Sequence, residues 1–162
     1  GRDLGYRGGR RTGLALTDDV HVPAHGSRWG IPVSRATKGA VVSERTAAVI
    51  WSLLDHIEHR VFLWNVFPLH PHEPGEPFSN RAHNALERRT GEEILYHLID
   101  LLNPMRIIAI GNDAAAVARR ISIEAPVWQV RHPSYGGQTE FSSQVRRLYS
   151  IKPKDNRQGS LL

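Results

Sequence analysis

Cysteine is missing from all 162 positions of the chain. That absence removes disulfides, thiolate nucleophiles and cysteine-ligated iron–sulfur clusters together. Long apolar runs are missing as well: no stretch approaches the roughly 20 apolar residues that a bilayer-crossing helix needs. No signal-peptide pattern opens the chain. The expectation is a cytoplasmic protein with no membrane contact. Acidic residues are in the minority, 16 against 21 Lys and Arg, for a formal charge of +5 and a pI near 10.1. A basic balance favours a polyanionic partner, because clustered cations release counterions from phosphates. Basicity alone does not select nucleic acid. The length suits one compact domain with a real core, assigned to residues 1–151, and the polar stretch 152–162 reads as a disordered tail.

What is present alternates in period. Gly13–Thr17 is the one short extended segment of an opening stretch rich in Gly and Arg. A catalytic loop is normally aimed by a preceding strand, so native sequence is expected ahead of Gly1. Val20–Gly39 is polar, with Pro23 and Pro32, and reads as a loop. Val41–His59 has apolar residues at helical spacing, with Ser43 and Thr46 near its start and Arg60 after its end. Val61-Phe62-Leu63-Trp64 is a continuous apolar run of strand length that delivers Asn65 to a strand end. Four prolines break Pro68–Pro77. Gly91–Leu102 reads as a helix with Ile94, Leu95, Leu98, Ile99 and Leu102 inward. A strand over Arg106–Ile110 leads through Gly111-Asn112-Asp113 into a helix ending at Arg120. A last strand, Pro126–Val130, ends at Arg131-His132-Pro133-Ser134, before a basic helix over Glu140–Tyr149.

Strands alternating with helices predict an α/β fold, three-layer α/β/α around a mostly parallel four-stranded sheet. In such sheets the ligand site lies beyond the carboxyl ends of the strands, where Asn65, Gly111 and His132 all fall. A carboxylate, Asp3, an amide, Asn65, and a histidine, His132, therefore make a candidate active site.

The opening Gly1-Arg2-Asp3-Leu4-Gly5-Tyr6, followed by Gly13-Leu14-Ala15-Leu16-Thr17, keeps the spacing of a Gly-Gln-Asp-Pro-Tyr-His motif and a following Gly-Leu-Cys/Ala-Phe-Ser. His132-Pro133-Ser134 matches a His-Pro-Ser core. With Asn65 and the Gly111 strand end between them, the chain from Gly1 to about Tyr149 resembles the uracil-DNA glycosylase superfamily, as a member without an iron–sulfur cluster. The resemblance implies a monofunctional glycosylase of base excision repair. It would flip uracil out of single- or double-stranded DNA and hydrolyse the N-glycosidic bond, releasing free uracil, as a monomer with no metal and no organic cofactor. It implies that Asp3 orients the attacking water, that His132 donates to the uracil oxygen as negative charge gathers there, and that Asn65 reads the Watson–Crick edge. Arg2, Gly5, Tyr6 and Leu16 complete the base site. Ser134, Tyr135, Gly136 and Gln138 face the DNA, Ser134 on a phosphate.

The chain departs from the family pattern at three places. Gly5 stands where a tyrosine excludes the thymine methyl, with Tyr6 beside it. Leu16 stands where a phenylalanine stacks on the flipped base, with Trp29 and Trp64 as aromatic alternatives. Gly136 stands where a leucine wedge fills the vacated stack, which leaves Tyr135 or Gln138 for that role. Arg7, Arg10, Arg11, Arg146 and Arg147 are candidates to track the DNA backbone. Three other readings compete: a non-turnover protein that holds uracil or abasic DNA, a glycosylase with broader deaminated-base specificity, and a small-nucleotide binder built on Ile107–Asp113. The last lacks Gly-x-Gly-x-x-Gly. His70-x-His72 lacks the third ligand that a metal site needs.

Overall fold

The computed structural model of the chain describes residues 1–122 and 124–152. The tail expected from residue 152 lies, apart from Lys152, outside the described residues. The elements are α1 (Gly9–Thr12), α2 (Val22–Trp29), α3 (Arg45–Leu54), α4 (Ala85–Leu102), β1 (Ile107–Ile110), α5 (Asn112–Ile121), β2 (Val127–Val130) and α6 (Gln138–Leu148). β1 and β2 pair in parallel, Ile107 opposite Val127 and Ile110 opposite Val130. A parallel pair requires a crossover, and α5 supplies it.

Strand side chains alternate in direction, and β1 uses both of its faces. Ile108 and Ile110 join a core made by Ile50, Trp51, Leu53 and Leu54 of α3 with Phe141 and Val145 of α6. Ile107 and Ala109 join a second cluster with Ala114, Ala115, Val117 and Ala118 of α5. Helices therefore cover both faces of the sheet, and the continuous Ile-Ile-Ala-Ile run is what a strand buried on two sides must look like.

The four-stranded sheet is not formed among the described residues, where the sheet has two strands. Gly13–Thr17 is turn and bend rather than strand, and Leu16 has φ of 55°. Val61–Trp64 belongs to no named strand. Its continuation pairs with the start of the chain in the parallel manner. The Gly1 amino group donates to Trp64 O at 2.8 Å, Val66 N donates to Gly1 O at 2.9 Å, and Phe67 N donates to Arg2 O at 3.0 Å.

Two further expectations need correction. Val20–Gly39 holds the eight-residue helix α2, because Pro23 sits in its first turn, where a missing N–H costs nothing. The helix α4 begins six residues before Gly91. Asn84 caps it, accepting from Glu87 N, while the Glu87 side chain accepts from Asn84 N. Its expected inward face is only half covered: Leu95, Leu98 and Ile99 are half-buried, Ile94 and Leu102 are exposed, and Gly91 is its one buried residue. A Cβ on Gly91 would collide with Val66 O and lie 3.1 Å from Phe67 Cα. Glycine there lets α4 rest directly on the segment after Asn65.

The half-covered face of α4 borders a slot of about 500 Å³. Val61–Val66, β1 and apolar residues of α3 and α6 form the rest of its wall, and Gly1 is part of it.

Candidate active site

Three strand-like ends converge. Asn65 follows the Val61–Trp64 run, Gly111 follows β1, and His132 lies two residues past β2. Asn65 is 2 % exposed, yet both its Oδ1 and Nδ2 are without a hydrogen-bond partner among the described residues. It touches the start of the chain: a Cβ on Gly1 would overlap Asn65 Oδ1 and lie 3.2 Å from Leu16 Cδ2. Gly1, Leu16 and Asn65 therefore meet at one point. Buried amides are normally paired. An orphaned pair of donor and acceptor is an arrangement for binding a complementary edge.

His132 lies at the end of the same sheet, its Cβ 3.5 Å from where a Cβ on Gly111 would be. Its Nδ1 accepts from Ser134 N at 3.2 Å and lies 2.5 Å from Ser134 Oγ. Because a backbone N–H can only donate, Nδ1 is assigned the lone pair and the neutral ring carries its proton on Nε2. Burial lowers the His132 pKa below its ordinary value, and the positive charge of Arg2 and Arg131 lowers it further.

Asp3 is held from two sides. Arg2 Nε donates to its Oδ2 at 2.6 Å, and His83 Nδ1 is hydrogen-bonded to its Oδ1. Arg2 also reaches Asp113 Oδ2 on α5, at 3.5 Å. The segment carrying Asp3 is fixed by Leu4, whose N donates to Leu69 O at 3.3 Å and whose O accepts from His70 Nδ1 at 2.8 Å. His70 is thus engaged with backbone, and His72 faces Glu73 O. No group of three or more His, Cys, Asp or Glu that could hold a metal occurs among the described residues.

The loop after Asp3 closes over Glu44. A Cβ on Gly8 would overlap its carboxylate, and one on Gly5 would lie 3.2 Å from Oε1. Burial, then the neighbouring Asp18, raises the Glu44 pKa. Asp18, fully buried, accepts from Glu44 N at 2.6 Å and lies 2.5 Å from His21 Nδ1, fixing the entry to α3 where Ser43 and Thr46 were expected to act. Tyr6 N donates to Asn80 Oδ1, and the Tyr6 hydroxyl accepts from Arg7 Nε at 2.8 Å.

Arg11 does not track an external backbone. Its guanidinium is spent on buried Asp19, at 2.9 and 2.7 Å, and on Thr37. Burial of Asp19 opposes ionisation, but Arg11, Val42 N and Thr37 outweigh it and keep that carboxyl below the usual range. Arg10 lies over the Phe78 ring. Arg146 and Arg147 border an open hollow with Gln138, Ser142 and Ser143. Tyr135, 99 % exposed with φ of 51°, stands at the tip of the loop beyond His132. Trp64 stacks on Phe62, and Trp29 meets Phe62 edge-on.

The uracil DNA glycosylase superfamily, described by its family model, matches residues 11–150. The chain belongs to that superfamily. Membership brings an α/β fold and glycosidase chemistry on a DNA substrate, in the service of DNA repair. No curated protein matches the chain. The span that identifies this superfamily member includes Asn65 and His132 and begins after Asp3. Asp3 thus rests on the geometry above. His83, Arg88 and Glu44 were not singled out from the sequence. The signal for His83 was its place directly before the capping box of α4.

Proposed function

We propose that this glycosylase removes uracil from DNA, and the observation that carries the reading is the buried, unpartnered amide of Asn65. Uracil presents a carbonyl and an N–H side by side, which an amide can match with one donor and one acceptor. As the N-glycosidic bond breaks, its electron pair passes to the base and positive charge develops on the sugar. His132, neutral with its proton on Nε2, meets the base oxygen as negative charge gathers there. Asp3 orients the water that adds to the sugar carbon and takes up its proton. The base leaves as an anion and is protonated from solvent while Asp3 returns its proton to solvent, so the products are free uracil and an abasic site. Arg2, Gly5, Tyr6 and Leu16 border the flipped base. Ser134 holds the His132 ring through its N–H, which lets its hydroxyl turn to a phosphate when DNA binds, while Tyr135, Gly136 and Gln138 meet the strand. Tyr135 is the wedge, since full exposure on a strained loop suits a side chain that enters a base stack.

The reading includes a monomer acting in the cytoplasm on single- or double-stranded DNA without metal or organic cofactor. It also includes the four-stranded sheet of the family-like architecture, which the parallel bonding of Gly1–Arg2 with Trp64–Phe67 supports. Gly5 leaves the thymine-excluding position without a side chain, which favours a broader range of deaminated bases.

Incubation with oligonucleotides carrying one uracil, followed by alkaline cleavage at abasic sites, tests the proposal. Cleavage by the wild-type chain and its loss in Asp3→Asn are the expected results. A second reading, binding without turnover, is favoured by the engagement of both Asp3 oxygens. Uracil-dependent binding with no base release from the wild-type chain would establish it.

A further inference from the structure

We infer that His83 is a positioning residue that fixes the Asp3 carboxylate for water activation, with Arg88 fixing His83 in turn. The inference rests on the glycosylase reading. His83 sits immediately before Asn84, and its side chain is 1 % exposed. Nothing in the sequence motifs around Asp3 points to it, because 80 residues separate the two.

The tautomer follows from the partners. Arg88 Nε donates to His83 Nε2 at 3.1 Å. A guanidinium cannot accept and does not lose its proton in proteins, so Nε2 must hold the lone pair. The neutral imidazole then carries its proton on Nδ1, the atom that faces Asp3 Oδ1. A chain of donors therefore runs Arg88 to His83 to Asp3, each with one available direction.

The two clamps on Asp3 differ in stiffness. Arg2, on Oδ2, is 46 % exposed and shares itself with Asp113. It can swing away when DNA arrives. His83 has no such freedom. Its ring packs against Phe67, whose centroid lies 6.2 Å away. The loop that carries it is tied by the Arg81–Glu87 pair at 2.6 Å and by the Asn84 capping box. Arg81, then the Asn84 backbone, holds the Glu87 carboxyl at about 2, against the cost of burial, so the tie persists across neutral pH. With Oδ1 pinned, the carboxylate plane is set and Oδ2 is the oxygen that can face a water. Phe67 N also donates to Arg2 O, so the ring that packs on His83 belongs to the segment paired with the start of the chain.

The test combines kinetics with nitrogen NMR. His83→Leu should lower the single-turnover rate of uracil release by about 10–100-fold, the scale on which misplacing a reacting group costs rate. Its affinity for uracil-containing DNA should stay within about twofold, because no ligand contact is lost. His83→Asn puts an amide N–H near the position of Nδ1–H and should recover most of the lost rate. In wild-type protein, ¹⁵N shifts should show His83 as the Nδ1–H tautomer, with its signal moving in Asp3→Asn and Arg88→Met. A His83→Leu rate equal to wild type, His83→Asn as slow as His83→Leu, or an Nε2–H tautomer would each overturn the inference. The nitrogen spectrum decides the pairing even where a variant folds poorly. Failure of the wild-type chain to release uracil overturns the glycosylase reading instead, and leaves the spectrum to judge the pairing by itself.

Discussion

Asn65 sets stability against function at a single residue. A buried amide with neither atom paired costs roughly 1–3 kcal/mol by the measure of protein mutations. Asn65→Leu, which keeps the branching and heavy-atom count but is bulkier, removes that cost, and Asn65→Val does so with less added bulk. The expected outcome is a raised melting temperature together with loss of uracil release, read by calorimetry and the oligonucleotide assay. A melting temperature lowered in both variants would mean that the amide has a structural partner, whereas a loss in Asn65→Leu alone reports overpacking. His132 makes a prediction in pH. Its folded pKa lies below the ordinary value near 6.5, so the unfolded chain takes up a proton first as pH falls. The stability due to this group is therefore complete above about pH 6.5 and is lost progressively as pH falls below it. The neutral ring also persists below that point, so base release should keep its rate through pH 6.5 before any His132-dependent decline. An NMR titration of the His132 ring should show a midpoint below 6.5.

Elements were legible where one local rule decided them. β1 and β2 could be read because a short apolar run bounded by Gly111 or His132 leaves few alternatives, and α5 because Gly111-Asn112-Asp113 opens it. The start of α4 could have been read as well, since Asn84-Ala85-Leu86-Glu87 is a capping box. It was obscured by the prolines before it. The turn at Gly13–Thr17 could not be read, because Trp51 Nε1 reaches across from α3 to hold Leu16 O at 3.2 Å, a tertiary bond that local pattern does not announce. In the candidate site, Asp3, Asn65 and His132 were legible from order and spacing. His83 was not, since only folding brings α4's cap to Asp3. Gly91 offers a test at this scale. Glycine to alanine inside a helix normally stabilises, by about 1 kcal/mol. Here Gly91→Ala would press on Val66 O and should instead destabilise by about 1–3 kcal/mol, the scale of overpacking, as measured by urea unfolding. A gain in stability would show that α4 does not rest on that backbone.

Across the whole molecule the charge of +5 and the internal commitment of Arg11 have opposite consequences. Arg7, Arg10, Arg146 and Arg147 remain to meet phosphates, so the affinity for DNA should fall with salt at a slope reflecting only a few contacts, roughly 0.9 per neutralised phosphate in duplex DNA. Fluorescence anisotropy over a salt series measures it, and Arg11→Ala should change folding stability rather than that slope. The slot of about 500 Å³ beside α4 reaches further. Unfolding under pressure is driven by internal space that the opened chain no longer encloses, with volume changes of roughly −20 to −100 mL/mol in ordinary proteins. The slot is open to solvent on one side, so only the part of it that water fills poorly counts toward that volume change, and compression should act first where α4 borders it. Tryptophan fluorescence followed over kilobar pressures, with Trp64 in the wall of the slot, would record how far that side of the molecule yields to squeezing.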